Sequence, residues 1–308
     1  MDTPPILFLV FNRPKHTARV FESIRKSRPA KLYIACDGAR QGRSDDIILI
    51  EETIKVTSEI DWPCTVTKLI RKENLGCKRA VSQAITWFFE HEEYGIILED
   101  DCLPHPSFFN YSAKLLNTYK DDERVMHITG TNLQNGNIRG DGSYYFSKVC
   151  HIWGWASWRR AWAMYDPEMK TYPEFKNSNY IRSAFSEEKH HAYWYNAFDK
   201  TFAGMIDTWD YQWVYTVWSN NGLCINPQVN LISNIGFDES ATHTKNTQSI
   251  YSNRDVHQLD VIRDPTFIIQ DTSADAYSMR MFTGKPPLLK RIENKVYNIS
   301  KRFKKLSS

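Results

Sequence analysis

Three consecutive carboxylates, Glu99, Asp100 and Asp101, follow an apolar run in the stretch YGIILEDDCLPHP. Carboxylates this close repel one another unless a cation or hydrogen-bond donors hold them, and hard divalent ions take oxygen ligands. Mg²⁺ and Mn²⁺ typically use one or two protein carboxylates and complete their coordination with water and substrate phosphates. The triplet therefore predicts a site for a metal-bound diphosphate. A simple turn that ends at a helix start is the alternative.

A second pair of carboxylates, Asp207 and Asp210, lies among aromatic residues in GMIDTWDYQWVYTVWSNNG, at the start of a predicted helix that ends at Gly222. The start of a helix keeps a carboxylate ionised, and an ionised carboxylate can serve as a general base. One of the two is expected to be such a base and the other the N-cap of the helix. The spacing alone leaves the two roles interchangeable.

These candidate groups need a scaffold, and the first half of the chain alternates strand-type and helical patterns. The strand candidates are ILFLVFN (6–12), KLYIACDG (31–38), CTVTKLIR (64–71), YGIILED (94–100) and RVMHITG (124–130). The helix candidates between them are residues 15–27, 44–60, 76–92 and 106–120. This alternation predicts an α/β fold, a mostly parallel sheet with helices on both faces.

Ligands of such sheets bind at the carboxyl ends of the strands. The polar residues there are Asn12 and Arg13 after the first predicted strand, Asp37 at the end of the second, and the acidic triplet after the fourth. No G-x-G-x-x-G follows the first strand and no G-x-x-x-x-G-K-[ST] occurs in the sequence. The pattern therefore argues against dinucleotide and P-loop sites.

The order of three motifs, FNRP, CDG and ILEDD, resembles the nucleotide-sugar domain of GT-A fold glycosyltransferases. It is similar to the N-acetylglucosaminyltransferase I family and to bacterial transferases that build surface glycans, over roughly residues 6–243. The resemblance implies a Rossmann-like GT-A fold, a UDP-sugar donor and Mn²⁺ or Mg²⁺. It also implies that Asp101 binds the metal and that Glu99 and Asp100 contact the sugar or ribose.

The same resemblance extends to other donor-side and acceptor-side residues. It implies that Arg13 lies near the diphosphate and that Asp37 recognises the uracil. Asn12, at the same strand end as Arg13, is also predicted to bind the donor. The pair Trp209–Asp210 resembles a Trp-Asp pair of the family, which implies that Asp210 is the base of an inverting transfer and that Asp207 is the N-cap. Tyr211 departs from the family, which has a second acidic residue there.

The segment KENLGCKRAVSQAI predicts a helix opened by Gly76. Its first N–H groups, with Lys78 and Arg79, could face a diphosphate. An ordinary strand-to-helix turn followed by a solvated basic face fits the same residues equally well.

Tryptophans are dense in HIWGWASWRRAWAMY, residues 151–165. Aromatic faces pack against sugar rings and Gly154 allows a close approach of the backbone, so Trp153, Gly154 and Trp155 are predicted to contact sugar, as is Trp209. Trp158 and Trp162 are predicted to lie in the core. The spacing of Trp155, Trp158 and Trp162 also fits one buried helix.

Two predictions concern later parts of the chain. His243, in a polar loop, is expected to close over the diphosphate or to complete the metal shell, and a solvated surface histidine is the alternative. Residues 288–308 place five apolar residues on one helical face and seven basic residues around them. This pattern predicts a basic amphipathic helix on an anionic membrane surface, or else a helix packed on the domain.

Composition limits the remaining choices. The 308 residues carry 39 basic and 36 acidic side chains, so the net charge of +3 favours no nucleic-acid partner. The six cysteines form no metal-type spacing, and no apolar run is long enough for a signal sequence or a membrane span. We expect a cytoplasmic protein, peripheral to the inner face of the cell membrane if its C-terminal segment binds lipid.

Together these observations predict one GT-A domain with a donor-binding half (1–132), an acceptor-binding and catalytic half (133–287) and a C-terminal helix (288–308). The predicted reaction is metal-dependent inverting transfer of N-acetylglucosamine or a related sugar from a UDP-sugar to a glycan or lipid-linked glycan, in bacterial surface polysaccharide assembly. The alternatives are a carbohydrate-binding module and a sugar nucleotidyltransferase.

Overall fold

One large sheet with helices on both faces dominates the computed structural model, which describes residues 2–237 and 251–283. The strands in this part of the chain are β1 Ile6–Val10, β2 Lys31–Cys36, β3 Thr65–Ile70, β4 Tyr94–Glu99, β5 Cys102–Pro104, β6 Val125–Thr129, β7 Tyr144–Ser147, β8 Trp155–Trp158, β9 Leu223–Pro227 and β10 Ile232–Asn234. The helices are α1 Pro14–Ser27, α2 Ser44–Val56, α3 Gly76–His91, α4 Ser107–Thr118, α5 Arg159–Trp162, α6 Tyr172–Asn177, α7 Ile181–Ala184, α8 Glu188–Phe202, α9 Asp210–Ser219 and α10 Thr272–Thr283.

The strands of the large sheet follow the order β3-β2-β1-β4-β8-β6-β9-β7. β8 is antiparallel to both of its neighbours, and β7 is antiparallel to β9, while the other pairs are parallel. Six of the eight strands therefore run in one direction, which confirms the predicted mostly parallel α/β sheet. β10 pairs with β5 in a small second sheet, with Ile232 opposite Pro104.

The strand β1 is buried on both faces because it is apolar at every position. In β1, Ile6, Phe8 and Val10 belong to a core shared with α1 and α4, whereas Leu7 and Leu9 belong to a second core shared with α3. Side chains alternate between the two faces of a strand, so a strand covered on both sides needs a continuous apolar run. The run ILFLV meets this need, and all five of its residues are buried.

The five strands and four helices predicted for the first half are confirmed, with small differences at their ends. The second half shares the same sheet, since it contributes β7, β8 and β9. Within the described residues no helix is both long enough and apolar enough to cross a bilayer. His243 and residues 288–308 lie outside the described residues, so the predictions for them remain predictions.

The tryptophan-rich segment differs from the single buried helix that its spacing allows. Residues Trp155–Trp158 form β8 and only Arg159–Trp162 form a helix, α5. Two of its tryptophans occupy the core as predicted, because Trp158 is 2% and Trp162 4% exposed. Gly154 has a φ of +59°, which favours glycine, and a Cβ there would overlap the side chain of Ile232. Gly154 therefore serves the close packing of β8 against β10, and not the approach of a ligand that was predicted.

Candidate functional site

Arg13 is the counter-ion of the acidic triplet. Its Nη2 atom contacts Asp100 Oδ1 in a short ion pair and lies 3.1 Å from Asp101 Oδ2, and its Nε lies 3.3 Å from Asp100 Oδ2. Burial alone would lower the pKa of the Arg13 guanidinium, but the two carboxylates raise it well above its usual value. An arginine therefore relieves the crowding of charge at the end of β4.

The register of the sheet explains this contact. β1 and β4 are parallel neighbours with Leu9 opposite Glu99, so the residues that follow each strand emerge at the same edge. α1 begins at Pro14, and Pro is favoured in the first turn of a helix, so Arg13 lies in a short connection. Residues 87 apart in sequence, Arg13 and Asp100, are thus held together by backbone pairing.

Glu99, the last residue of β4, connects the two predicted carboxylate centres. Its pKa is raised to about 8. Burial is the largest cause, and the negative charges of Asp101, Asp100 and Asp210 raise the pKa further. Asp100 is 3% exposed, and burial raises its pKa although Arg13 opposes the shift. The fold therefore brings Asp210 of the second half close enough to the triplet for their charges to interact.

Asp210 begins α9 and is held by its local backbone. Its Oδ1 accepts a hydrogen bond from the backbone N–H of Tyr211 at 2.8 Å and a short one from the hydroxyl of Thr208. The residue before it, Trp209, is 2% exposed and stacks on Trp155 with ring centroids 5.7 Å apart. A carboxylate at a helix start carried by a rigid aromatic core is suited to act as a base.

The burial of these tryptophans corrects one prediction. Trp155 is 0% exposed and lies in β8 between β4 and β6, and Trp209 packs against it. Neither ring can contact a sugar, because both are covered by neighbouring rings. Trp153 differs, since it remains half-buried.

Asp207 was predicted to cap α9, but its carboxylate caps the start of α3 instead. Its carboxylate accepts hydrogen bonds from the backbone N–H groups of Cys77 at 2.9 Å and Lys78 at 3.0 Å, in the first turn of α3. A carboxylate at a helix N-terminus satisfies orphan N–H groups and interacts favourably with the helix dipole. Asp207 thus ties the loop before α9 to the start of α3.

The start of α3 is also bonded by Asp37. The Asp37 carboxylate accepts hydrogen bonds from the backbone N–H groups of Leu75 at 3.0 Å and Gly76 at 3.2 Å. With Asp207 bonded to the next two residues, the N–H groups predicted to face a diphosphate are already paired with protein carboxylates. The diphosphate contact predicted for the start of α3, at Gly76, is therefore corrected to a carboxylate-capped helix start.

The remaining donor-side residues have the following partners. Lys78 Nζ lies 3.2 Å from Glu168 Oε1, and Arg79 is exposed to solvent. The side-chain amide of Asn12 donates to Asp46 Oδ1 at 2.7 Å. The predicted donor residues therefore gather at one edge of the sheet, but only Arg13 contacts the triplet.

The chain after β10 covers the triplet, a contact that was not predicted. The backbone N–H of Ile235 donates to the Asp101 carbonyl at 2.8 Å, and His16 Nε2 lies 3.2 Å from the Ile235 carbonyl. A Cβ at Gly236 would overlap the Asp101 carboxylate and approach Arg13. A glycine just after a strand was the one signal of this close approach.

The triplet fits a metal only as a site completed by substrate. Among the residues that the structure describes, no group of three or more His, Cys, Asp or Glu side chains is arranged to hold a metal ion. Asp101 is a half-buried carboxylate at the sheet edge, and Mg²⁺ or Mn²⁺ needs as few as one such protein ligand when phosphates and water supply the others. The donor set therefore suits a hard divalent ion bound together with a diphosphate.

A cavity of about 520 Å³ lies farther along the same edge, beyond the ends of β6 and β9. It contains none of the predicted site residues. Its wall residue Asn230 donates to the Ile232 carbonyl at 2.7 Å and Asn132 donates to the Pro227 carbonyl at 2.6 Å. These amides fix the backbone that leads from β9 to Gly236.

No protein-family model and no curated protein sequence matches the chain. Among solved structures, the chain is similar to a UDP-glucose pyrophosphorylase complexed with UDP-glucose, with 11% identity over 52% of this chain and 78% of that one and a TM-score of 0.31. HddC from Yersinia pseudotuberculosis is 11% identical over 51% and 77% of the two chains, with a TM-score of 0.29. An apo UDP-glucose pyrophosphorylase is 10% identical over 75% and 93%, with a TM-score of 0.36. Likeness at this level defines no function for the chain.

Proposed function

We propose that this protein is a metal-dependent glycosyltransferase that moves a sugar from a UDP-sugar to a glycan acceptor with inversion. The observation that supports this function is the meeting of three groups at the carboxyl edge of the sheet. Arg13 and Asp101 lie in contact after β1 and β4, and the charge of Asp210 acts on the neighbouring Glu99. An arginine and a carboxylate that could hold a metal ion thus lie near a separate carboxylate.

With a divalent ion bound, the donor end would supply charge complementary to a diphosphate. Guanidinium groups bind phosphates well, and Arg13 keeps its positive charge because two carboxylates surround it. Asp101 would hold the metal ion, and a bound divalent cation neutralises charge on a diphosphate leaving group. Glu99 and Asp100 lie beside Asp101, where the sugar and ribose of the donor would be bound.

The other carboxylate supplies the base. In an inverting transfer the acceptor hydroxyl attacks the anomeric carbon on the face opposite the leaving group, and a carboxylate takes the hydroxyl proton. Asp210 suits this role because the start of α9 favours its ionised form. Asp207 suits it less, since both of its oxygens accept hydrogen bonds from α3.

The connection after β1 favours transfer over nucleotidyl chemistry. Sugar nucleotidyltransferases usually carry a Gly-rich basic loop after the first strand. Here β1 ends at Val10 and α1 begins at Pro14, and the residues between them, 11–13, include no glycine. A simple sugar-binding module would need neither the Arg13-paired triplet nor Asp210.

Titration calorimetry with UDP and a set of UDP-sugars, with and without Mn²⁺, tests the proposal. We expect UDP to bind only when Mn²⁺ is present. We also expect the protein to form UDP as a product when a UDP-sugar and cell-derived glycan are added together. Binding of UTP with pyrophosphate exchange, and no release of UDP, would identify a nucleotidyltransferase. Binding of free sugars without any nucleotide binding would identify a carbohydrate-binding module.

A further inference from the structure

A row of six aromatic rings connects the two carboxylate centres, and we call it the aromatic belt. Its members in order are Phe237, Trp153, Tyr251, Phe282, Trp194 and Tyr211. The ring centroids of successive members are 5.7, 6.3, 6.3, 6.5 and 6.1 Å apart. Phe237 directly follows Gly236, which lies against Asp101, and Tyr211 directly follows Asp210. The belt therefore runs from the proposed donor end to the proposed base.

The belt differs from the aromatic core in its exposure. Four of its members are half-buried and so keep part of their surface in contact with solvent: Trp153, Tyr251, Phe282 and Tyr211. Eight of the ten tryptophans of the chain are buried, and only Trp153 and Trp87 are half-buried. Phe237 and Trp194 are buried, so the partly exposed rings that follow one another in the belt are Trp153, Tyr251 and Phe282. Partly exposed aromatic surface beside polar groups is typical of a binding site.

The chemistry of the belt indicates which ligand it suits. The C–H face of a pyranose ring packs against aromatic faces, while the hydroxyl groups of the sugar need polar partners nearby. The belt itself carries no charged side chain, so it offers nothing to a phosphate, but it ends at the Asp210 carboxylate. A neutral sugar with a hydroxyl directed at Asp210 meets both conditions.

We propose that the aromatic belt is the acceptor site, in which Trp153 and Tyr251 pack against the C–H face of a neutral acceptor sugar and direct one hydroxyl toward Asp210. This assignment rests on the proposed function, because it is the transferase that needs an acceptor. It adds Tyr251, Phe282 and Tyr211 to the residues expected from sequence, and it replaces the buried Trp155 and Trp209.

The test uses the full-length protein labelled with 5-fluorotryptophan and observed by ¹⁹F NMR. The signals of Trp153 and Trp87 are assigned with the variants Trp153→Phe and Trp87→Phe, and Trp87 is the matched half-buried control. The methyl glycosides of glucose, galactose and N-acetylglucosamine are titrated into the tens of millimolar range. At least one of them is expected to shift the Trp153 signal and to leave the Trp87 signal unchanged.

Two variants of Tyr251 examine the stacking. Tyr251→Ala is expected to weaken sugar binding by about two- to tenfold, which corresponds to the loss of one aromatic contact. Tyr251→Phe keeps the ring and loses only the hydroxyl, which donates to the Met281 carbonyl at 2.9 Å, so it is expected to bind as the wild type does. If Tyr251→Ala fails to fold, the Trp153 titration of the wild type still decides the question.

The outcomes separate this inference from the proposed function. The sugar assignment would be overturned if no glycoside shifted the Trp153 signal, or if the Trp153 and Trp87 signals shifted equally. The same samples are titrated with UDP and Mn²⁺. UDP binding without a sugar shift would support the transferase proposal and exclude the belt as a sugar site. A sugar shift without UDP binding would show that the belt binds sugar and would contradict the transferase proposal.

Discussion

Asp207 Oδ2 accepts a hydrogen bond from the backbone N–H of Cys77 at 2.9 Å, and so joins segments that are 130 residues apart. We predict that Asp207→Ala lowers the free energy of unfolding by about 0.5–2 kcal/mol, because the first turn of α3 loses its cap. Urea unfolding monitored by circular dichroism measures the change. Full stability together with a complete loss of sugar transfer would make Asp207 the base instead.

Asp210→Asn separates chemistry from binding. The amide keeps the shape of the side chain but cannot accept a proton, so we expect a loss of about 10²–10⁴-fold in kcat with little change in UDP affinity. Steady-state release of UDP and calorimetry measure the two quantities. Asp207→Asn, in the same loop, is the comparison, and near-normal turnover in Asp210→Asn would exclude Asp210 as the base.

Asp101→Ala should remove the metal dependence of UDP binding. The divalent ion loses its protein ligand, and the charge of the diphosphate is then balanced by Arg13 alone. A matched control is Asp122→Ala, because Asp122 is also paired with an arginine, Arg124, and the two aspartate side chains are 16% and 21% exposed. The assignment of Asp101 fails if its variant and the control show the same manganese dependence as the wild type.

The buried ring of His127 is expected to make the free energy of unfolding depend on pH. The ring is fully buried beside Trp155, with Nε2 donating to the His151 carbonyl at 3.0 Å and Nδ1 accepting from Trp213 Nε1 at 3.2 Å. Burial lowers the pKa of His127 to about 4, although the hydrogen bond to the His151 carbonyl opposes the shift.

The unfolded chain therefore binds a proton near pH 6.5 that the folded chain does not bind until about pH 4. Stability present above pH 6.5 should be lost as the pH falls, at a rate of up to about 1.4 kcal/mol per pH unit from this group. Urea unfolding at intervals from pH 7 to pH 4.5 measures the slope. His127→Gln should reduce the slope, and an unchanged slope would assign acid sensitivity to other groups.

Membrane association is predicted from the sequence of residues 288–308, which lie outside the described residues. Seven basic side chains contribute about 1 kcal/mol each near an anionic surface, and salt screens this attraction. Full-length protein should sediment with vesicles of anionic lipid at low salt and be released at high salt. Replacing the seven basic residues by glutamine should abolish sedimentation and leave UDP binding intact. Equal sedimentation of both proteins would contradict the prediction.

The sequence predicted the scaffold well because its signals are local. The runs that form β1, β2 and β4 are mostly apolar, and a polar residue at the strand end or just after it, Asn12, Asp37 or Glu99, marks the edge of the sheet. The triplet could be found for the same reason. Its counter-ion Arg13 lies 87 residues from Asp100, and no local pattern indicates that pairing.

The errors at the site have a common physical origin. A tryptophan that packs on a sugar and one that packs in a core have the same type and spacing, so Trp155 could be assigned only once β8 was seen between β4 and β6. In the same way, an aspartate before a helix usually caps that helix. Asp207 caps α3 instead, because tertiary packing brings the two segments together.

The antiparallel strand β8 also affects how the chain can fold during synthesis. Its residues Trp155–Trp158 fill the place between β4 and β6, so the free edge of β4 stays unpaired until the ribosome has added more than fifty residues beyond Glu99. Pairing of strands so far apart is slow, and exposed strand edges promote aggregation. We expect nascent chains that stop before residue 155 to depend on chaperones, whereas chains that include β8 can close the sheet around the acidic triplet.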